Sequence, residues 1–237
     1  MTMFKPSSPQ ALRPSGPPAS LPDALRAALA ADYAPVRPLG SPLSRTLWLM
    51  PLGALMLAAA PMAFELRMDA ARLGWLGTWG VSSLQVLAGL VWIGAALRES
   101  VPGRAWGRPA SASWLALPIA IVAGVTLGSW AASPVPLRTE WWWVGGLCFT
   151  WSAVSAWPAV ALAAVLAARA YPTRPAFTGA LLGLGAGLMA DGGWRLFCHF
   201  SEPAHVLAAH LAAVLASAAT GALLTSVLVT YPTRRRS

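Results

Sequence analysis

The chain has 237 residues, of which 57% are hydrophobic and 11% charged, and its mean hydropathy is +0.58. A soluble domain carries about 25% charged residues, so an ordinary soluble domain is excluded, and a disordered chain is excluded by the amount of apolar surface to bury. Seventeen basic residues against eight acidic ones give a net charge of +9, but the charge sits in short clusters between apolar runs, as in membrane-protein loops, and not in a stripe that would face nucleic acid.

Residues 1–44 read as a cytoplasmic tail. Pro6, Pro9, Pro14, Pro17 and Pro18 keep its first part extended. Residues 1–22 hold no apolar run of the kind that opens a secretory signal. A short amphipathic helix is predicted at about 21–33. Leu21, Ala24, Leu25, Ala28 and Leu29 recur at helical spacing, Pro22 and Asp23 suit its first turn, and Pro35 and Pro38 end it. Residues 45–231 read as a six-helix transmembrane domain, with apolar runs at roughly 46–64, 76–97, 113–132, 141–168, 177–197 and 205–230. The expected fold class is therefore all-α: a polytopic membrane protein with six transmembrane helices and both termini cytoplasmic. In the fifth run Gly179, Gly183, Gly185 and Gly187 let helix backbones approach closely. Residues 232–237 form a basic cytoplasmic end.

Orientation follows from the basic residues. With the N-terminus inside, Lys5, Arg13, Arg26, Arg37, Arg45, Arg98, Arg104, Arg108, Arg169, Arg174, Arg234, Arg235 and Arg236 are cytoplasmic. Only Arg67, Arg72, Arg138 and Arg195 fall outside. That asymmetry is the positive-inside signal of a multi-pass membrane protein. The stretch Tyr171 to Arg174 repeats as Tyr231 to Arg234, a cytoplasmic exit of aromatic anchor, helix stop and charge. Trp141, Trp142 and Trp143 open the fourth run on the other side, as an aromatic belt would.

No hydrolase motif, phosphate loop or dinucleotide fingerprint stands in a fitting context, so no enzyme is expected and no catalytic residue is assigned. Asp191 and Arg195, four residues apart, read as a structural pair on one helix face. Cys148 and Cys198 both fall near the outer face, where a disulfide persists if the pair comes within about 7 Å between Cα atoms; the other reading is two small buried hydrophobes. His199, His205 and His210 all lie within twelve residues of Cys198. Thiolate and imidazole together suit copper(I) or zinc, which makes the three histidines candidate ligands, although the spacing matches no zinc finger. No cofactor is required; copper or another soft metal ion would be a signal.

Trp194 to Cys198, followed by Ser201, Glu202, Pro203, Ala204, His205 and His210, resembles the negative regulator of sigma F family, six-helix membrane anti-sigma factors. Leu25 through Pro38 resembles that family's cytoplasmic lead-in, and Arg98 through Arg104 its second loop. The resemblance implies a protein that holds an extracytoplasmic-function sigma factor inactive at the bilayer, without touching nucleic acid itself. It implies release by heavy metals such as chromium, cadmium or copper. It also implies two functional cysteines, at the positions of Cys148 and Cys198. His199 departs from the family, which often has proline there. Leu21, Leu25 and Leu29 are then candidates for docking the sigma factor, the alternative being a helix lying on the membrane surface. Two other classes compete. A small-molecule or metal transporter would want polar residues at mid-membrane, and these are few. A quinone-linked membrane thiol oxidoreductase normally needs two cysteine pairs, and one pair is available.

Overall fold

A computed structural model describes residues 22–32, 38–135 and 141–234. Leu21 lies outside the described residues. The chain divides into two units, 1–38 and 39–237. Helices and loops make up the described residues, and no strand occurs among them.

The first unit holds α1, Asp23–Asp32, with Asp23 in the first turn, where a carboxylate suits the helix dipole. Leu25 and Leu29 share one face of it, one turn apart, and both are exposed.

The second unit begins with α2 (Pro42–Leu47) and α3 (Met50–Ala63). Ser41 starts α2 by accepting a hydrogen bond from the Ser44 amide at 3.1 Å, and Pro42 occupies the first turn. This helical stretch therefore opens four residues before the apolar run at 46. Next come α4 (Ala70–Trp75), a π-helical turn (Leu76–Gly80) and α5 (Val81–Glu99), then α6 (Arg108–Ala132) and α7 (Trp141–Ala168). The chain continues through α8 (Pro175–Trp194) and the short α9 (Pro203–His205), and a second π-helical turn (Val206–Leu211) leads into α10 (Ala212–Arg234).

Among the described residues, five stretches are long and apolar enough to cross a membrane: Pro42–Ala63, Ala70–Glu99, Arg108–Ala132, Trp143–Ala168 and Pro203–Tyr231. The shortest has 22 residues, against about 20 needed at 1.5 Å rise each. Their outward faces are apolar too. On α5, Leu84, Leu87 and Val91 are exposed while Val86, Leu90 and Ile93 are buried. An outside this greasy is costly in water and suits lipid. The architecture is that of a multi-pass membrane protein.

Helix α8 is different. Its 20 residues are too rich in glycine, and too burdened by Asp191, to match the hydropathy of the other five. Residues 181–196 are nonetheless all buried, because α3, α5, α7 and α10 surround them. The glycines allow this. A β-carbon on Gly179 or Gly183 would run into the backbone of α10 at Gly221 or Ser217, and one on Gly193 into the Met56 carbonyl of α3. One on Gly185 would sit 2.7 Å from the Gly89 carbonyl oxygen of α5. Contact between helices in lipid depends on such close backbone approach.

Two buried charges fasten one end of the bundle. Arg45 donates to the Leu97 carbonyl at 2.9 Å and the Leu166 carbonyl at 3.2 Å, so one guanidinium caps the last turns of α5 and α7. Glu99 accepts from the Trp106 amide at 2.8 Å and from Arg174, which ties α5, the 100–107 loop and the start of α8 together. Arg174 is 38% exposed and can still reach water when its partner is lost. Glu99→Gln is therefore expected to cost about 1.5–3 kcal/mol, the range of one charged hydrogen bond, and to open the 100–107 loop to protease. Unchanged melting and unchanged cleavage would show that this loop is held elsewhere.

Candidate metal and thiol centre

Cys148 sits two turns into α7 and is 3% exposed. Cys198 follows the end of α8 and is 5% exposed. The two helices run antiparallel, so the beginning of one lies beside the end of the other. Although 50 residues separate the cysteines, their sulfurs lie 3.6 Å apart, both as free thiols. Around them pack Ala60, Trp194 and Ala209, with Val144, Phe197 and Phe200 at the edge.

His205 and His210 complete the group. The His205 Nε2 atom is 3.5 Å from the Cys198 sulfur. One ligand atom from each of Cys148, Cys198, His205 and His210 falls within 4.8 Å of the others, and all four residues are buried. The local backbone explains the pairing of the histidines. Five residues apart on an α-helix, they would diverge by about 140°. The π-helical turn Val206–Leu211 instead closes its hydrogen bonds over five residues and stacks i above i+5. The two rings meet with centroids 5.4 Å apart at 74°.

Asp191 organises the floor of this site. It is wholly buried and accepts from Arg195 Nε at 2.9 Å and Gln85 Nε2 at 2.5 Å, and its other oxygen lies 2.6 Å from His210 Nδ1. An ionised carboxylate only accepts, so His210 donates from Nδ1 and its Nε2 faces the thiols as the free nitrogen. That Nε2 is buried and has no hydrogen-bond partner, as is His205 Nδ1. Arg195 donates onward to Thr126 Oγ1 of α6 at 3.3 Å. The expected Asp191–Arg195 pair is thus present, as part of a larger network that the spacing alone did not show. Gln85, a lone amide in an apolar span, was the available signal for it.

The loops at this end are fixed. Arg67 holds Asp69 through two hydrogen bonds, at 2.6 and 3.0 Å, and donates to the Arg195 carbonyl at 3.2 Å. Burial would raise the Asp69 carboxyl, but Arg67 beside it keeps it below the usual carboxylate range. Ser201 Oγ donates to the Ser133 carbonyl at 2.6 Å and accepts from the Val135 amide at 3.0 Å. His199, a candidate ligand by sequence, does not join the four. Its ring lies against Phe200 at 4.2 Å, and burial pushes its imidazole below its ordinary range. The candidate docking residues Leu25 and Leu29 belong to the first unit.

No curated protein and no solved structure matches the chain significantly. A family model does: that of the negative regulators of sigma F aligns with residues 29–231, from the last turn of α1 through every helix that builds the thiol and histidine centre. With that match running over nearly the whole described chain, this protein belongs to the negative regulator of sigma F family.

Proposed function

We propose that this protein is a six-span anti-sigma factor of the bacterial inner membrane. It holds an extracytoplasmic-function sigma factor on the cytoplasmic side and releases it when heavy metal or thiol oxidation reaches Cys148 and Cys198 near the outer face. The family match supports a sigma factor as partner. The observation that carries the sensing role is the placement of two buried thiols 3.6 Å apart, one on α7 and one just past the end of α8. A metal can bridge them as they stand. An oxidant that accepts two electrons can also join them, with loss of both thiol protons, once the sulfurs close to about 2.05 Å.

In this reading α8 is the sixth span, shielded from lipid by its neighbours and long enough at about 30 Å. Both termini are then cytoplasmic, as the basic residues favour. The sigma factor docks on the tail, with Leu21, Leu25 and Leu29 entering an apolar groove of the partner. Asp191 links the centre to Gln85 on α5 and, through Arg195, to Thr126 on α6. Those two helices flank the 100–107 loop at the opposite end, and a packed bundle shifts between discrete arrangements, so an outer change can reposition that loop.

The test is co-purification of the tagged full chain from native membranes, with and without cadmium or copper. A sigma factor retained without metal and lost with it is the expected result. Cys148→Ser and Cys198→Ser should each retain the sigma factor under metal. Release that persists in both variants would reduce the cysteines to packing residues, and a sigma factor absent in every condition would end the anti-sigma reading.

A further inference from the structure

The geometry points to a specific ion and a specific ligand set: we infer that Cys148, Cys198, His205 and His210 hold one divalent tetrahedral ion of the zinc class, with His210 oriented by Asp191. This deepens the sensing role proposed above and rests on it only for its biological consequence.

Distances come first. An ion with bonds of about 2.3 Å to sulfur and about 2.0–2.1 Å to nitrogen holds two sulfurs about 3.8 Å apart in a tetrahedron, and a sulfur and a nitrogen about 3.6 Å apart. The observed separations are 3.6 Å between sulfurs and 3.5 Å from sulfur to His205 Nε2. Both pairs thus already stand at coordination-shell spacing, and all four ligand atoms lie within 4.8 Å of one another.

Unused valence comes second. His210 Nε2 is buried without a hydrogen-bond partner. Leaving a polar nitrogen so is costly unless something accepts its lone pair. Its other nitrogen is held by a carboxylate at 2.6 Å. Metal-binding histidines are commonly fixed in this way, because a carboxylate sets the tautomer and makes the ligating nitrogen more basic.

Charge decides the class of ion. Two thiolates and two neutral imidazoles carry a charge of −2, which a divalent ion cancels. Copper(I) would leave a negative charge in a buried site where the nearby cations Arg195 and Arg67 are already paired, with Asp191 and Asp69. A residual buried charge is expensive. The proton balance follows: one divalent ion enters, two thiol protons leave, and no electron moves.

The experiment uses the reduced full chain in detergent, titrated with zinc and with cobalt(II) as a spectroscopic stand-in. One ion per chain is expected, with about two protons released per zinc at neutral pH and the intense visible bands of tetrahedral cobalt. His205→Ala and His210→Ala should each abolish those bands, and His199→Ala should leave them unchanged. Asp191→Asn should keep the bands and weaken zinc binding by about 10–100-fold. Should that variant not fold, X-ray absorption of the zinc-loaded natural chain counts the ligands directly, and two sulfurs with two nitrogens is the required answer. Any other count, bands that survive both histidine variants, or stoichiometric uptake of copper(I) but not zinc would overturn the assignment. Sigma-factor retention is read on the same samples. Zinc held in this shell without sigma release leaves the ligand set standing and removes the sensing role. Release by metal in a chain that binds no such ion does the opposite.

Discussion

Replacing Asp191 by alanine is expected to destabilise the bundle by about 3–5 kcal/mol, the cost of stripping one partner from a buried ion pair. For a chain of this size that corresponds to a fall in Tm of about 6–20 °C, taking about 2–4 °C per kcal/mol. Asp191 is fully buried, and the Arg195 side chain is 7% exposed. Without the carboxylate, the guanidinium keeps only the Thr126 hydroxyl at 3.3 Å and the Gln85 amide only the Leu188 carbonyl at 3.4 Å. Neither can turn to water, since every side of α8 here is covered by another helix.

The same reasoning makes a second variant informative. Asp191→Leu combined with Arg195→Met removes both charges and keeps most of the volume. A buried pair replaced by apolar groups is often close to neutral, so the double variant should melt nearer the natural chain than Asp191→Ala does. The measurement is heat-induced loss of the monodisperse peak in detergent. A single variant within about 1 kcal/mol of the natural chain would mean that water reaches the pair, since an exposed ion pair is worth no more than that. The double variant is also expected to disturb zinc binding, because His210 loses the group that orients it.

Much of the bundle was legible in the sequence because lipid imposes a coarse, readable code. Apolar runs of span length and the clustering of arginine between them gave the all-α architecture, and α7 begins at Trp141, where the tryptophan run begins. The helix ends were less legible. The first span starts at Pro42 because Ser41 caps it, and the second starts at Ala70 through a π-helical turn that hydropathy does not register. Helix α8 shows the limit of the code from the other side. Its glycines and Asp191 lower its hydropathy, yet these are the features that place it at the centre of the bundle.

The site was half legible. Cys148 and Cys198 stood out as the only cysteines of the chain, but 50 residues of separation said nothing about their distance. The histidines were harder. All three lie within twelve residues of Cys198, and on an α-helical wheel His205 and His210 face different ways. A π-helical turn brings those two together, and no periodicity in Val206–Leu211 announces it. Asp191 was read with Arg195 because both share one helix; its contacts with Gln85 and His210 come from other helices.

Gly183→Ala should be the most damaging change that adds one carbon. The new β-carbon would collide with the Ser217 carbonyl and the Ala218 α-carbon of α10. Overpacking usually costs about 1–3 kcal/mol because side chains yield. Here the obstacle is backbone, so α8 and α10 must separate along their length, and the cost should exceed that range. Gly124→Ala and Gly128→Ala are the matched controls, since a β-carbon at either meets nothing within 4 Å. Yield and Tm in detergent give the comparison, and equal values for Gly183→Ala and the controls would show that the two helices are not in close contact. The same variant reaches the signalling question. Helix α8 carries Arg174 at one end and leads through Asp191 to Cys198 at the other. If its packing against α10 transmits the outer signal, forcing the two apart should mimic that signal. Chains of Gly183→Ala that still insert should then lose the sigma factor without metal, whereas a full complement retained in the inserted fraction would place the transmission elsewhere.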